Sequence, residues 1–148
     1  MSGPAEGPAL EARPRRAEGS RGARRLRRQG LVPGVLYGPG LEPQPIAVEA
    51  SKLRRVIEAV GESGALRLTV EGRPHLVFIR EVQVHPIRGA ILHVDFYAPR
   101  AHERVVVPCP LEFVGRARGV ERGGLLEPLR RELEVRCLPT QVPKRIQV

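Results

Sequence analysis

The chain has no tryptophan, and aromatic residues make up only 3% of its 148 positions. With 41% of residues hydrophobic, a core is affordable but must be aliphatic, built from valine, leucine and isoleucine. No apolar run approaches the roughly 18–20 residues that a membrane helix needs. Residues Met1 to Leu10 have neither the basic start nor the apolar stretch of a secretory signal, so a cytosolic protein without a membrane partner is expected. Lysine is almost absent as well: arginine supplies all but Lys52 and Lys144 of the 25 basic residues. The two cysteines, Cys109 and Cys137, stand alone, with no paired-cysteine motif. In such a chain they read as small buried hydrophobes.

What is present is positive charge, and it is concentrated. The net charge is +9, and residues 13–28 alone hold eight arginines against one glutamate. A balanced remainder with one cationic piece points to a polyanionic partner for that piece. Between Ala23 and Gln29 a short helix is expected. At 100° per residue it puts Arg21, Arg24, Arg25 and Arg28 on one side and Leu26 opposite. Gly30 ends the turn, and Leu31 to Tyr37 reads as a strand interrupted by Pro33-Gly34. The alternative for the charge run is a solvated arm.

Residues 1–20, rich in glycine, proline and arginine, read as a disordered or partly ordered arm in which Leu10 to Arg13 adds at most an edge strand before Pro14. After the Gly38-Pro39-Gly40 turn, Ile46 to Glu49 is a short strand. Ser51 is the expected N-cap of a helix whose apolar stripe is Leu53, Val56, Ile57 and Val60, closed by Gly61. Lys52, Arg54 and Arg55 fall off that stripe. A hairpin follows, Leu66–Val70 and Arg73–Val84, joined by Glu71-Gly72 in a tight turn that needs positive φ at the glycine. Ile91 to Phe96 alternates, so Leu92, Val94 and Phe96 should enter the core while His93 and Asp95 share an outward face.

Tyr97 to Arg100 reads as a boundary. Beyond it, strands are expected at Arg104–Val107, at Leu111–Val114 and around Leu133, Val135 and Cys137, forming a second, all-β unit with glycine-rich turns. About fifty residues is thin for an independent domain, and the pattern stops at Val148 in mid-strand, so this unit is expected to be incomplete or to lean on a partner.

His85, His93 and Asp95 are three candidate metal ligands, but no ligand spacing matches and the cysteines lie in the other unit. No nucleophile elbow, phosphate loop or dinucleotide fingerprint is present. Neither enzyme nor cofactor is expected. The same residues suit a nucleic-acid face. A carboxylate beside arginines is repelled by phosphate but accepts from the amino group of cytosine or guanine. Gln83 both donates and accepts, and Tyr37 offers a ring or a hydroxyl. The bland alternatives are a local surface pair for His93 and Asp95, core packing for Tyr37, and an ordinary strand end for Gln83 and His85.

Taken together, Gly22-Ala23-Arg24-Arg25-Leu26-Arg27, Val32-Pro33-Gly34-Val35-Leu36-Tyr37-Gly38, Glu81-Val82-Gln83-x-His85-Pro86 and Leu92-His93-Val94-Asp95-Phe96 resemble the bacterial large-subunit ribosomal protein twenty-five. The second unit is similar to the longer, general-stress (CTC) form of that family through Val107-Pro108, Gly119-Val120, Gly123-Gly124 and Leu138-Pro139-x-x-Val142-Pro143. The resemblance implies a mainly β protein: a six-stranded type of β-barrel with one or two short helices over residues 21–97, and a small β domain over 98–148 that the family continues further. It implies binding of 5S ribosomal RNA at internal loop E within the large subunit, with neighbouring ribosomal proteins as further partners of the second domain. The family's RNA contacts fall on Arg24, Arg25 and Arg27, with Arg21 and Arg28 in the same segment, on Tyr37, on Arg80 and Gln83, and on His93 and Asp95. Strict alternation sets Arg80 and Gln83 on opposite faces unless a bulge intervenes. The rival class is a stress-related protein-interaction or chaperone module with an incidental basic arm.

Overall fold

The aliphatic residues that must form the core are gathered inside one closed barrel. The computed structural model describes every residue except 1–7, 17, 18, 62, 63, 116 and 144. The first part of the chain contains β1 (Ala9–Pro14), α1 (Gly19–Arg28), β2 (Leu31–Gly38), β3 (Leu41–Glu49), α2 (Ala50–Val60), β4 (Ala65–Val70), β5 (Arg73–Val84) and β6 (Ile91–Tyr97). Around the barrel the order is β1, β3, β2, β6, β5, β4, and β4 pairs back onto β1. Leu10, Val32, Leu36, Ile46, Val48, Leu66, Leu68, Val77, Val94 and Phe96 fill it, and Leu53 and Val56 of α2 join the same cluster. Among the described residues no helix is long and apolar enough to cross a membrane.

Several elements differ from expectation, and proline explains most of the differences. Residues 9–14 are neither an arm nor an edge: β1 pairs antiparallel with β3 and parallel with β4, and so closes the barrel with Leu10 and Ala12 buried. β2 runs unbroken through Pro33, and β3 extends back from Ile46 through Pro45 and Pro43 to Leu41. A proline in a strand is tolerated where its missing N–H faces no partner. Pro14, Pro33, Pro45 and Pro74 all sit where their strand has one ladder neighbour rather than two, and Pro43 falls at the irregularity between the Leu36 and Gly38 pairings. The ladder from β2 to β6, for example, begins only at Gly34.

The helix of the Leu53 stripe starts at Ala50, two residues earlier than a Ser51 cap would place it. Glu49 is the N-cap, without a side-chain cap bond. The amide of Ala50 instead donates to the carbonyl of Gly30 at 2.9 Å, which ties the end of α1 to the start of α2. The β4–β5 turn has positive φ at both Glu71 (51°) and Gly72 (78°), the twist that a two-residue hairpin favours.

Beyond residue 100 the chain forms β7 (Val105–Glu112), α3 (Arg118–Glu121), β8 (Glu132–Cys137), a 3-10 turn (Pro139–Gln141) and β9 (Ile146–Gln147), with sheet order β8, β7, β9. The two strands expected at 104–107 and 111–114 are one. β7 passes through Pro108 and Pro110 opposite β8, while β9 joins only at Leu111. The short helix α3 also interrupts an otherwise β unit. Val105, Val107 and Cys109 are buried together with Phe78 of β5, and Cys137 packs partly buried beside them. Burial pushes the Cys137 thiol above its ordinary pKa.

The parallel pairing of β2 with β6 is unusually close. A β-carbon on Gly34 would lie 2.6 Å from the Val94 carbonyl oxygen, and one on Gly38 only 2.1 Å from that of Ala98. Both obstacles are backbone and cannot swing aside. Gly38→Ala is therefore expected to force the strands apart and to cost about 1–3 kcal/mol. The measurement is the urea midpoint at unchanged m-value; an unmoved midpoint would show that the two strands can separate freely.

Candidate nucleic-acid interface

The cationic stripe forms as the arginine spacing requires. In α1, Gly22 is buried, Ala23, Leu26 and Arg27 are half-buried, and Arg21, Arg24, Arg25 and Arg28 are exposed. Gly22 lets the helix lie close on the barrel, and α1 packs chiefly on β2. Arginines in the last turn suit the negative end of the helix dipole. Like charges three and four residues apart repel, however, and the first turn carries no acid to offset them. The stripe is thus a dense patch of exposed positive charge that suits an anionic ligand.

The second part of the site is made by two bulges between β5 and β6. Ile79 pairs with Phe96 and Glu81 with Asp95, which leaves Arg80 as the extra residue on β5. Further along, Gln83 pairs with His93 and Val84 with Ile91, which leaves Leu92 as the extra residue on β6. The first bulge resolves the conflict over faces. Ile79 and Val82 pack against the core, while Glu81 and Gln83 lie on the outer side opposite Asp95 and His93. His93 Nδ1 and Asp95 Oδ1 are 2.9 Å apart, with side-chain exposures of 31% and 26%. The imidazole thus orients the carboxylate while leaving both open to a ligand. Glu81 was not singled out from the sequence; only the register puts its carboxylate opposite Asp95, where like charges are unfavourable.

Tyr37 lies half-buried on the outside of the barrel, since its neighbour Leu36 takes the core position. It pairs with Tyr97, and the rings meet edge-on with centroids 5.7 Å apart at 64°. The Arg80 guanidinium sits 4.5 Å from the Tyr97 centroid, a cation–π contact. The Tyr97 hydroxyl donates to Glu103 Oε2 at 2.6 Å. Tyr97 and Glu103 were invisible to pattern reading because the contact depends on how the chain turns after β6.

His85 stands apart from this face. Its Nδ1 accepts from the amides of Ile87 (3.2 Å) and Arg88 (3.1 Å), and its backbone closes the same turn with Ala90 and Gly89. The ring holds the β5–β6 loop in shape. Arg27 also differs from its neighbours: its Nε and Nη2 both donate to the Leu92 carbonyl, at 3.1 and 3.0 Å. Among the described residues no three His, Cys, Asp or Glu side chains converge as metal ligands would.

The sequence profile of the Ribosomal L25p family matches residues 10–96. That of the C-terminal domain of ribosomal protein TL5 matches residues 104–148. The chain is similar to the large ribosomal subunit protein bL25 of Syntrophobacter fumaroxidans, with 46% identity over 144 residues, 94% of this chain and 72% of that protein. The protein of the same name in Halothermothrix orenii is 43% identical over 143 residues, 94% of this chain and 64% of that one. For Thermosipho africanus the figures are 42% over 146 residues, 94% and 67%. The chain therefore spans 64–72% of the length of these relatives.

The Glu103 contact raises the Tyr97 pKa above its ordinary 10.0, first through the hydrogen bond and then through burial, while Arg80 opposes the shift. Because the folded value is raised, the stabilisation is fully present below the unfolded pKa and is lost as pH climbs through the folded one. Ultraviolet titration of tyrosinate should show Glu103→Gln lowering the pKa of one tyrosine and Arg80→Ala raising it. Unchanged curves in both variants would place the Tyr97 ring elsewhere.

Proposed function

The chain belongs to the ribosomal L25p family, and from that premise we propose that it is a structural constituent of the large ribosomal subunit which binds 5S ribosomal RNA at internal loop E, without catalysis. The observation that carries this reading is the outward His93–Asp95 pair, 2.9 Å apart and across the ladder from Gln83, on the barrel that also carries the cationic stripe of α1. The two parts do different work. Arg21, Arg24, Arg25 and Arg28 meet phosphates and supply affinity, which carries no sequence information. Asp95, repelled by phosphate, accepts from a base amino group, and His93 and Gln83 read beside it. Regular A-form RNA hides base edges in a deep, narrow major groove, so this readout selects a distorted helix with a widened groove. Tyr37 and Arg80 extend the face at the far end of β6, and His85 keeps the β5–β6 loop in the shape that presents Gln83.

In this role the protein is cytoplasmic and ribosome-associated. The second unit offers Leu125, Leu126 and Leu129, all exposed, as contacts for neighbouring ribosomal proteins, since adjacent exposed leucines mark interaction surfaces. A gel shift with 5S ribosomal RNA against scrambled RNA of equal length separates RNA binding from a protein-interaction module with an incidental basic arm; equal shifts would favour the latter.

Two substitutions separate the halves of the site. Asp95→Ala should weaken binding to loop E RNA by about tenfold to a hundredfold and spare a regular duplex; equal loss on both would remove its readout role. Arg24→Ala should weaken both RNAs alike and flatten the log–log salt dependence by about 0.7–0.9. An unchanged slope would exclude Arg24 as a phosphate contact.

A further inference from the structure

Arg27 lies in the cationic helix, yet its side chain does not join the stripe. The guanidinium turns inward, half-buried, and both Nε and Nη2 donate to one acceptor, the Leu92 carbonyl, 65 residues away. That acceptor has a particular place in the fold. Leu92 is the extra residue of the second bulge, so β5 offers it no partner, and the ladder from β6 to β2 begins only at Val94. A bulge leaves its extra residue outside the ladder, and a half-buried carbonyl left unpaired is costly. The rigid fork of an arginine meets this one oxygen with two donors, which a lysine ammonium on a flexible stem does not reproduce. Leu92 is followed immediately by His93. The contact therefore joins the helix bearing the phosphate-binding stripe to the residue that begins the reading pair.

We propose that Arg27 is a positioning residue: by clamping the Leu92 bulge it sets the placement of the α1 arginines relative to His93 and Asp95, and so acts on RNA selectivity rather than on phosphate attraction. This rests on the RNA-binding reading above and sharpens it, because a stripe and a reading pair select a shaped RNA only if their separation is fixed. Without the clamp the stripe still attracts any RNA, but the two halves no longer match one groove.

The test uses the full chain with Arg27→Lys, Arg27→Gln and, as a comparison, Arg24→Ala. Binding is measured to a loop E RNA and to a regular duplex of equal length across a salt series, with thermal melting to verify folding. Both Arg27 variants should lose about tenfold or more of the preference for loop E RNA while keeping the parent's salt slope. In the RNA-free protein, the backbone amide resonances of His93 and Asp95 should move in Arg27→Gln and stay in place in Arg24→Ala. The proposal is overturned if Arg27→Gln weakens both RNAs in parallel and flattens the slope by about 0.7–0.9 while Arg27→Lys restores both, the behaviour of a phosphate contact. Unmoved His93 and Asp95 resonances in Arg27→Gln overturn it as well. A parent protein with no preference for loop E RNA would instead sink the RNA-binding reading, and the resonance comparison would still decide whether the clamp positions the pair.

Discussion

The carbonyl oxygens of Val94 and Ala98 occupy space that any side chain on Gly34 or Gly38 would need. This contact fastens β2 to β6 in parallel, pairing Gly34 with Val94 and Tyr37 with Tyr97. Parallel neighbours cannot be joined by a tight turn, so the intervening β3, α2, β4 and β5 must travel around before β6 returns beside β2. The barrel closes because of that return. It also brings the strand leading out of α1 alongside the strand that carries His93 and Asp95, and it lays the Tyr37 ring against Tyr97. Larger residues at 34 and 38 would push those two parts of the molecule apart.

The local patterns were legible in the sequence where each residue's side depends only on its own periodicity. The stripe of α1, the apolar face of α2, the β4–β5 hairpin and the alternation of β6 from His93 to Phe96 are all of that kind; at the start of β6 the bulge at Leu92 breaks the pattern, and Ile91 rather than Leu92 packs against the core. Strands containing proline run longer than local sequence predicts, because the cost of proline depends on whether a second strand lies on its N–H side. That is a property of the whole barrel and not of the tripeptide around Pro33 or Pro108. β1 was underestimated for the same reason: Leu10 and Ala12 are its only buried side chains, and its stability comes from partners on both sides. Ser51 has the right chemistry for a cap, but the chain enters α2 through a backbone bond to Gly30 instead.

The candidate site was only partly readable, because it is made by register. Alternation alone puts His93 and Asp95 on one face, whereas the placement of Glu81, Gln83 and Arg80 depends on a bulge that no short motif announces. The electrostatics of the assembled face are locally unfavourable twice over. Four exposed arginines crowd one side of α1, and Glu81 stands opposite Asp95. Natural sequences break local rules of this kind where function asks for it. Under the proposed RNA-binding reading, closely spaced phosphates and base amino donors on one surface would relieve both conflicts.

Phe78 points outward from the barrel, between Ala65 and Tyr97 in the ladders, yet it is buried because Val105, Val107 and Cys109 close over it. The second unit therefore has no complete core of its own: a barrel residue is one of its central members. A chain made from its N-terminus offers that docking surface before β7 has left the tunnel in which it is synthesised. The later sheet thus borrows a phenylalanine from the barrel, and its packing depends on β5 being in place.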